Sequence, residues 1–281
     1  MNPYALIKLI RPKQWIKNLM VFFPPFLSGS LFHEGVLAKG VVPFLAFCCA
    51  SSASYIFNDI QDRGRDALHP RKKQRPLATG EVSVRSAFSL LLLLLSAALL
   101  LGYSVSPLFL LYVVIYLAVS GAYSMLLKHL PIFDIFVISF GFVLRLYGGG
   151  EAFGVYVSDW LFLSVFLLAL FLSVGKRYSE QRMLDDAAGA HRSTLDAYPV
   201  GFLESAMYLS GSAVLITYAM YAINRPLMVY TVPLCVFGLL RYLMHIKSGG
   251  EGDPAETLLK DPTLLVVGIL WAVMVGVSAT Q

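Results

Sequence analysis

The stretch N-D-I-Q-D-R-G-R-D, residues 58–66, places three carboxylates and an amide at the end of the apolar run Val41 to Phe57. Asp59, Asp62 and Asp66 are spaced i, i+3 and i+7, so on a helix they share one face. Such carboxylates repel one another unless a cation lies among them. In a soluble protein we would read this stretch as a solvated helix end. After an apolar run and before a set of cations, it predicts a site for Mg²⁺ and a diphosphate at a membrane surface, because Mg²⁺ prefers oxygen ligands and shares them with phosphates.

The composition predicts an integral membrane protein. The chain has 281 residues, of which 57% are hydrophobic and 14% charged, and its mean hydropathy is +0.70. A helix that crosses a bilayer needs about 20 apolar residues. We find nine candidate segments, near 14–32, 41–58, 84–102, 107–126, 132–149, 159–176, 202–222, 227–245 and 262–279. They predict an all-α bundle of nine transmembrane helices in a single domain, 1–281, with a kink or break at Pro24-Pro25.

The distribution of basic residues predicts the topology. Nineteen of the 22 Lys and Arg residues fall on the side of the N-terminus. The positive-inside rule then places the N-terminus inside and the C-terminus outside a cell (inner) membrane that the chain crosses repeatedly. The active-site loops would face the cytoplasm near 59–85, 127–133, 177–201 and 246–261. The net charge of +5 fits this topology and anionic substrates better than nucleic acid, since no compact basic domain is present. A homo-oligomer is possible.

Polar side chains at the predicted cytoplasmic surface are candidates for phosphate binding, because Arg and Lys bind phosphate oxygens directly. One group lies in the 59–85 loop, a second follows helix 6, and a third lies at the end of helix 4. Each has a simpler interpretation: a positive-inside signal, a solvated helix end, or interfacial anchoring. The candidate substrate-binding residues are Asn58, Lys17, Arg65, Arg71, Lys73, Arg75, Tyr123, Lys128, Lys176, Arg177 and Glu180.

Arg145 lies inside the fifth apolar segment, 11 residues beyond Asp134. That spacing is about three helical turns, so the two share a face and Arg145 is roughly 16 Å deeper. A charge within a membrane usually faces the interior of the bundle. We expect a structural or a pocket-lining role for Arg145.

The motif N-D-x-x-D-x-x-x-D, followed by R-P-L-A-T-G-E-V-S at Arg75 to Ser83, resembles the UbiA superfamily of intramembrane prenyltransferases. That resemblance implies nine transmembrane helices, a Mg²⁺–diphosphate site beneath a cytoplasmic cap, and a lipid chain in a cleft that opens sideways. It implies that Asp59, Asp62 and Asp66 are the metal ligands and the catalytic residues.

The segment after helix 6 departs from most of that superfamily. Most members carry a second D-x-x-x-D motif there, whereas this chain has Lys176-Arg177-Tyr178-Ser179-Glu180. Five segments resemble the branch that transfers phosphoribosyl from phosphoribosyl pyrophosphate to a polyprenyl (decaprenyl-type) phosphate for the arabinan of the cell wall. They are R-P-K-Q-W-I-K-N (11–18), Y-S-M-L-L-K (123–128), P-I-F-D (131–134), G-K-R-Y-S-E (175–180) and D-P-A-E-T-L-L-K-D (253–261). This resemblance implies a Mg²⁺-dependent pentosyltransferase.

Two other functions fit parts of the pattern. The first is transfer of a prenyl group from a prenyl diphosphate to an aromatic acceptor on the same fold, against which the missing acidic motif counts. The second is a transporter or a lipid-binding membrane protein. Transporters tend to place ionisable groups near the midplane, often within paired repeats, whereas here the acids cluster at one surface and no repeat is visible.

Overall fold

The computed structural model describes residues 3–68, 72–185, 193–250 and 252–281, and every regular element within these ranges is a helix. The α-helices are α1 (Pro3–Ile10), α2 (Phe23–Leu27), α3 (Val36–Lys39), α4 (Val41–Leu68), α5 (Pro76–Thr79), α6 (Val84–Val105), α7 (Pro107–Met125), α8 (Phe133–Phe153), α9 (Asp159–Asp185), α10 (Ser193–Asp196), α11 (Phe202–Ala222), α12 (Val232–Lys247), α13 (Pro254–Lys260) and α14 (Pro262–Ala279). Short 3₁₀ helices cover Pro12–Phe22, Ser30–Phe32, Lys72–Gln74, Leu127–His129 and Met228–Thr231. The predicted all-α class is confirmed.

Seven helical stretches in the described ranges are long and apolar enough to cross a membrane. They are Val36–Leu68, Val84–Val105, Pro107–Met125, Phe133–Phe153, Asp159–Arg182, Met228–Lys247 and Pro262–Ala279. Each corresponds to one of the nine predicted segments. The segments at 14–32 and 202–222 lie outside this set, although the second forms the 21-residue helix α11. Large apolar side chains face outward from the bundle, as on α6, where Leu93 is 67% and Leu100 is 70% exposed.

The segment at 14–32 differs from the prediction of one kinked transmembrane helix. The chain forms an 11-residue 3₁₀ helix, Pro12–Phe22, before the short helix α2. The change of helix type falls at Phe22 and Phe23, so Pro24 and Pro25 lie in the first turn of α2, where a missing N–H costs no hydrogen bond. A 3₁₀ helix of this length is uncommon and often marks a functional segment.

The helix α4 also corrects the predicted loop at 59–85. It runs without interruption to Leu68, so the three aspartates lie on its last turns and the remaining connection is shorter. A helix bonds its own backbone groups, and it can therefore continue past the apolar core with polar side chains. The loop expected at 177–201 is shortened in the same way, because α9 continues to Asp185.

The bundle packs most extensively between α4 and α6 and between α9 and α11, and the 3₁₀ helix Pro12–Phe22 lies against α8. Gly149 permits this last approach, since a Cβ atom built on it would lie 2.1 Å from the carbonyl oxygen of Val21. Gly148 permits the approach of α4 to α8, since a Cβ there would lie 2.8 Å from the ring of Phe47. The contact at Gly149 positions the 3₁₀ helix, and with it Lys17 and Asn18, beside α8.

We expect Gly149→Ala to lower the midpoint of thermal unfolding in detergent, since the added methyl group must push the Val21 backbone away from α8. Overpacking of this kind costs about 1–3 kcal/mol. Gly238→Ala is the matched control, because a Cβ at that position of α12 meets no atom within 4 Å among the described residues. An equal midpoint for the two variants would contradict the assigned close approach.

Candidate functional site

Two of the three predicted carboxylates converge on one cation. Asp59 and Asp66 are 2% and 3% exposed. The Nη1 atom of Arg75 donates to Asp59 Oδ1 at 2.9 Å and to Asp66 Oδ2 at 2.6 Å. Arg75 reaches them from the residue before α5, where the following Pro76 favours the extended backbone that is observed. Arg75 thus lies against the acidic face of α4, and its predicted contact with substrate stays a prediction.

Asp62 turns to a different partner. At about 100° per residue, it lies roughly 60° around α4 from Asp59, on the side of Asn58. Lys128 Nζ donates to Asp62 Oδ1 at 2.7 Å and to Asn58 Oδ1 at 3.3 Å. Lys128 is 5% exposed, so the alternative interpretation, a lysine that extends to the membrane surface, does not describe it.

Arg11 belongs to the same cluster, and it is not among the residues that the sequence pattern predicts for the site. Its Nη2 atom donates to Asp59 Oδ1 at 2.6 Å, and its guanidinium lies 4.9 Å from the centre of the Tyr55 ring. Arg11 has a φ of 57°, in the left-handed region, which costs a residue with a side chain about 1–3 kcal/mol. The one local signal in the sequence was Pro12, which excludes Arg11 from right-handed helix.

The opposite side of the site contains two lysines that share one acid. Lys17 Nζ and Lys176 Nζ lie 3.9 Å and 3.6 Å from Asp253 Oδ2. Lys17 comes from the 3₁₀ helix Pro12–Phe22, Lys176 from α9, and Asp253 precedes α13. Both lysine side chains are partly exposed, at 23% and 39%, so they remain accessible to a ligand.

Arg177 lies in a buried network and not on the surface of the site. Its Nε donates to Asp134 at 2.7 Å, its Nη2 to the hydroxyl of Tyr123 at 3.1 Å, and its Nη1 to Glu180. Arg177 is 2% exposed and Asp134 is not exposed. Two other predicted substrate-binding residues, Tyr123 and Glu180, are therefore hydrogen-bonded to Arg177. Arg177 links α7, α8 and α9.

Tyr198 extends this network to the loop that carries Lys128. Its hydroxyl donates to Asp134 Oδ1 at 2.6 Å and accepts from the backbone N–H of Ile132 at 2.7 Å. Burial, and then the hydrogen bond to Asp134, raise the pKa of Tyr198, which keeps the hydroxyl a proton donor. Ile132 has a φ of 70°, and the hydroxyl of Thr194 donates to the carbonyl of Lys128 at 2.7 Å. These bonds fix the loop that points Lys128 at Asp62.

Three other cations were predicted to bind substrate. Arg65 lies 4.0 Å from Asp62 and 3.3 Å from the His129 ring, with its side chain 71% exposed. Lys73 is exposed on the 3₁₀ helix Lys72–Gln74 and makes no ion pair with another described residue. Arg71 lies outside the described residues. Their predicted contacts with substrate stay predictions.

The observed geometry fits a cation held between two carboxylates, those of Asp59 and Asp66, better than one held by all three. Within the described ranges, no three His, Cys, Asp or Glu side chains are grouped closely enough to hold a metal ion. Asp59 and Asp66 nevertheless face one positive nitrogen from two sides, and one or two carboxylates with substrate phosphates are the usual ligands of Mg²⁺. In this structure Asp62 pairs with Lys128, whereas Asp59 and Asp66 share Arg75; the predicted set of three metal ligands stays a prediction.

Comparison with known proteins identifies the family. The model of the UbiA prenyltransferase family matches residues 22–260.

The chain belongs to the UbiA prenyltransferase family.

Among the curated relatives, decaprenyl-phosphate phosphoribosyltransferase from Mycolicibacterium smegmatis is 34% identical over 98% of this chain and 92% of its own length. The enzyme of that name from Corynebacterium glutamicum is 31% identical over 95% of this chain and 84% of its own length. A solved UbiA homologue from Archaeoglobus fulgidus, bound to DMAPP and Mg²⁺, superposes with a TM-score of 0.71 over 97% of this chain and 98% of that chain, at 23% identity. The last comparison establishes the fold.

We expect Tyr198→Phe to destabilise the protein, because it leaves Asp134 and the N–H of Ile132 short of a hydrogen bond. The cost of a buried group without its partner is about 1–3 kcal/mol, measurable as a lower midpoint of thermal unfolding. Tyr208→Phe is the control, since the Tyr208 hydroxyl is also hydrogen-bonded but its residue is 45% exposed. Equal stability of the two variants would show that the hydrogen bonds of the Tyr198 hydroxyl do not stabilise the protein.

Proposed function

We propose that this protein transfers a phosphoribosyl group from phosphoribosyl pyrophosphate to a polyprenyl phosphate and releases pyrophosphate. The observation that carries the proposal is the similarity to decaprenyl-phosphate phosphoribosyltransferase along 98% of the chain. The lysine pair around Asp253 supports the proposal. One of the two, Lys176, lies in the segment where most of the superfamily is expected to have a second acidic motif. A donor with an additional phosphate calls for cations in that place.

The carboxylates of α4 would hold Mg²⁺ on the pyrophosphate of the donor, with Asp59 and Asp66 as direct ligands and Asp62 and Asn58 beside them. The bound ion would neutralise charge that develops on the leaving pyrophosphate. Arg75 now lies between Asp59 and Asp66. On binding of the donor it would turn from these oxygens to a phosphate oxygen, which it can contact with two N–H groups.

The reaction breaks the bond between C1 of the ribose and a pyrophosphate oxygen. It forms a bond between C1 and an oxygen of the lipid phosphate, so the electron pair of the broken bond leaves with pyrophosphate. Glycosyl transfer of this kind passes through a transition state with oxocarbenium character. The attacking phosphate is already anionic, so the residues need to position it and need not remove a proton. Lys128, Arg75 and Arg11 supply the positive surroundings for the leaving group.

The proposal includes the orientation of the protein. Nine membrane spans, with α11 and the segment at 14–32 added to the seven, would place the N-terminus and the Asp-rich end of α4 in the cytoplasm. The outward apolar side chains of α11 support its addition, since Leu209 is 75% and Ile216 is 65% exposed. The segments at 72–83, 127–132, 193–201 and 252–261 would then form the cytoplasmic cap of one domain in the cell membrane.

We expect label to enter the lipid phase only from phosphoribosyl pyrophosphate when purified protein, Mg²⁺ and a polyprenyl phosphate are supplied. A parallel reaction contains a labelled prenyl diphosphate and an aromatic acid. Transfer in the parallel reaction alone would replace this proposal with aromatic prenyl transfer. Omission of Mg²⁺, with EDTA present, is expected to abolish transfer and tests the metal requirement.

We expect Asp59→Asn to lower turnover at least about 100-fold and to raise the Mg²⁺ concentration needed for half-maximal rate, since one charged metal ligand is lost. Asp159→Asn is the control, because Asp159 is an exposed carboxylate at the start of α9, the end of that helix that lies away from Lys176. This variant should turn over normally. Folding is checked by the elution profile and thermal midpoint of each variant. Near-normal turnover of a folded Asp59→Asn protein would remove Asp59 from the metal site.

A further inference from the structure

Arg145 is a buried arginine within a candidate membrane span. It lies in α8, 12 residues from Phe133 and therefore about 18 Å along the helix, and it is 5% exposed. Its Nε donates to Asn18 Oδ1 at 2.7 Å, its Nη1 to the carbonyl of Gly141 at 2.7 Å, and its Nη2 to the hydroxyl of Tyr116 at 3.0 Å. The Tyr116 ring lies 4.5 Å from the guanidinium carbon.

All three hydrogen-bond partners of Arg145 are neutral, and within the described ranges it forms no ion pair with a carboxylate. Arg177, of similar burial, contrasts with it, since Arg177 is paired with Asp134 and Glu180. An arginine stays charged in a protein, and an unneutralised charge in a membrane interior is costly and usually functional. The hydrogen bonds orient this guanidinium, but they leave its charge without a counterion.

The neighbours of Arg145 connect it to the functional site. Asn18, which accepts from Arg145, donates to Ser51 and Cys48 of α4 at 3.2 Å each. Ser51 precedes Asp59 by eight residues, which is about 12 Å along the helix. Lys17 is next to Asn18 in the chain, and with Lys176 it approaches Asp253. Among the described residues, Lys17 and Lys176 thus share Asp253, and the charge of Arg145 acts on Lys17 without a carboxylate paired to Arg145 itself.

We propose that Arg145 and Lys17 form a subsite for a phosphate monoester, below the carboxylates that would hold the pyrophosphate. The inference rests on the proposed function, in which both substrates carry such a group: the 5-phosphate of the donor and the terminal phosphate of the lipid. A monoester dianion supplies the missing counterion of Arg145. Each Nη atom of Arg145 carries a second N–H beyond the one already bonded, so two donors are available for phosphate oxygens.

The arrangement differs from that of a purely structural arginine. A structural role needs the bonds to Asn18 and Tyr116 but gains nothing from a second cation nearby, which raises the cost of both charges. Lys17 is such a cation: it lies close enough for the charge of Arg145 to act on it, and its own side chain is 23% exposed. A buried cation without a carboxylate partner, close to a second cation, favours an anion as the ligand, because the anion offsets the repulsion between the two charges.

The test measures binding of three fragments to purified protein in detergent: pyrophosphate with Mg²⁺, ribose 5-phosphate, and farnesyl phosphate. We expect Arg145→Gln and Lys17→Gln each to weaken binding of at least one monoester about tenfold or more, and to leave pyrophosphate within about twofold of the parent protein. Tyr116→Phe is the matched control, because it removes one hydrogen bond to Arg145 and keeps the charge. It should bind all three fragments within about twofold.

The pattern of loss identifies the source of the phosphate. Loss of ribose 5-phosphate alone assigns the subsite to the donor, loss of farnesyl phosphate alone assigns it to the acceptor, and loss of both assigns it to either substrate. Unchanged binding of both monoesters, or equal loss of all three fragments, overturns the inference. If Arg145→Gln does not fold, Lys17→Gln decides alone, since that residue is partly exposed. The donor comparison on the same preparation tests the proposed function separately.

Discussion

The constraint on which the rest of the site depends is that a buried carboxylate must have a cation beside it. Asp59, 2% exposed, lies between the guanidinium groups of Arg11 and Arg75. Removing one partner of a buried pair leaves a charge without compensation, which is strongly destabilising. These pairs join the end of α4 to the segment before the 3₁₀ helix Pro12–Phe22 and to the segment before α5. The charges that would bind the substrate thus also hold together the elements that form the site.

A second buried pair performs the same task on the other side of the site. Arg177 and Asp134 join α9 to α8, and Tyr198 extends the pair to the backbone of Ile132. The loop fixed in this way carries Lys128, whose ammonium group crosses to Asp62 on α4. Lys128 therefore joins this loop directly to α4. A substrate that draws Lys128 or Arg75 away from its carboxylate would change the contacts of α4 with these neighbouring segments, which connects binding to the position of the helix.

The sequence was sufficient for the features that depend on local pattern. Apolar runs predicted the helices, and the spacing of the aspartates predicted their common face, with Asp59 and Asp66 nearly in line. It also selected Arg75 and Lys128, which the structure places in ion pairs with these aspartates. Helical geometry alone could have predicted that Asp62 points in a somewhat different direction from the other two aspartates, since about 60° separates Asp62 from Asp59. The different partners of these aspartates could not be predicted in this way, because they depend on which segments pack on each side of α4 in the tertiary structure.

The features that the sequence did not reveal have partners far away in the chain. Arg11 and Asp59 are 48 residues apart, and Tyr198 and Asp134 are 64 apart, so no period or motif connects them. The lack of information on distant partners also explains the prediction for Arg177. Its position next to Lys176 predicts a second phosphate-binding cation, but a helix turns about 100° between neighbouring residues. That turn points Lys176 towards the site and Arg177 into the pair with Asp134. Neighbouring residues of α9 therefore have different roles: Lys176 is placed to contact a substrate, whereas Arg177 holds the helices of the site together. The two positive charges of this segment cannot both be assigned to substrate binding.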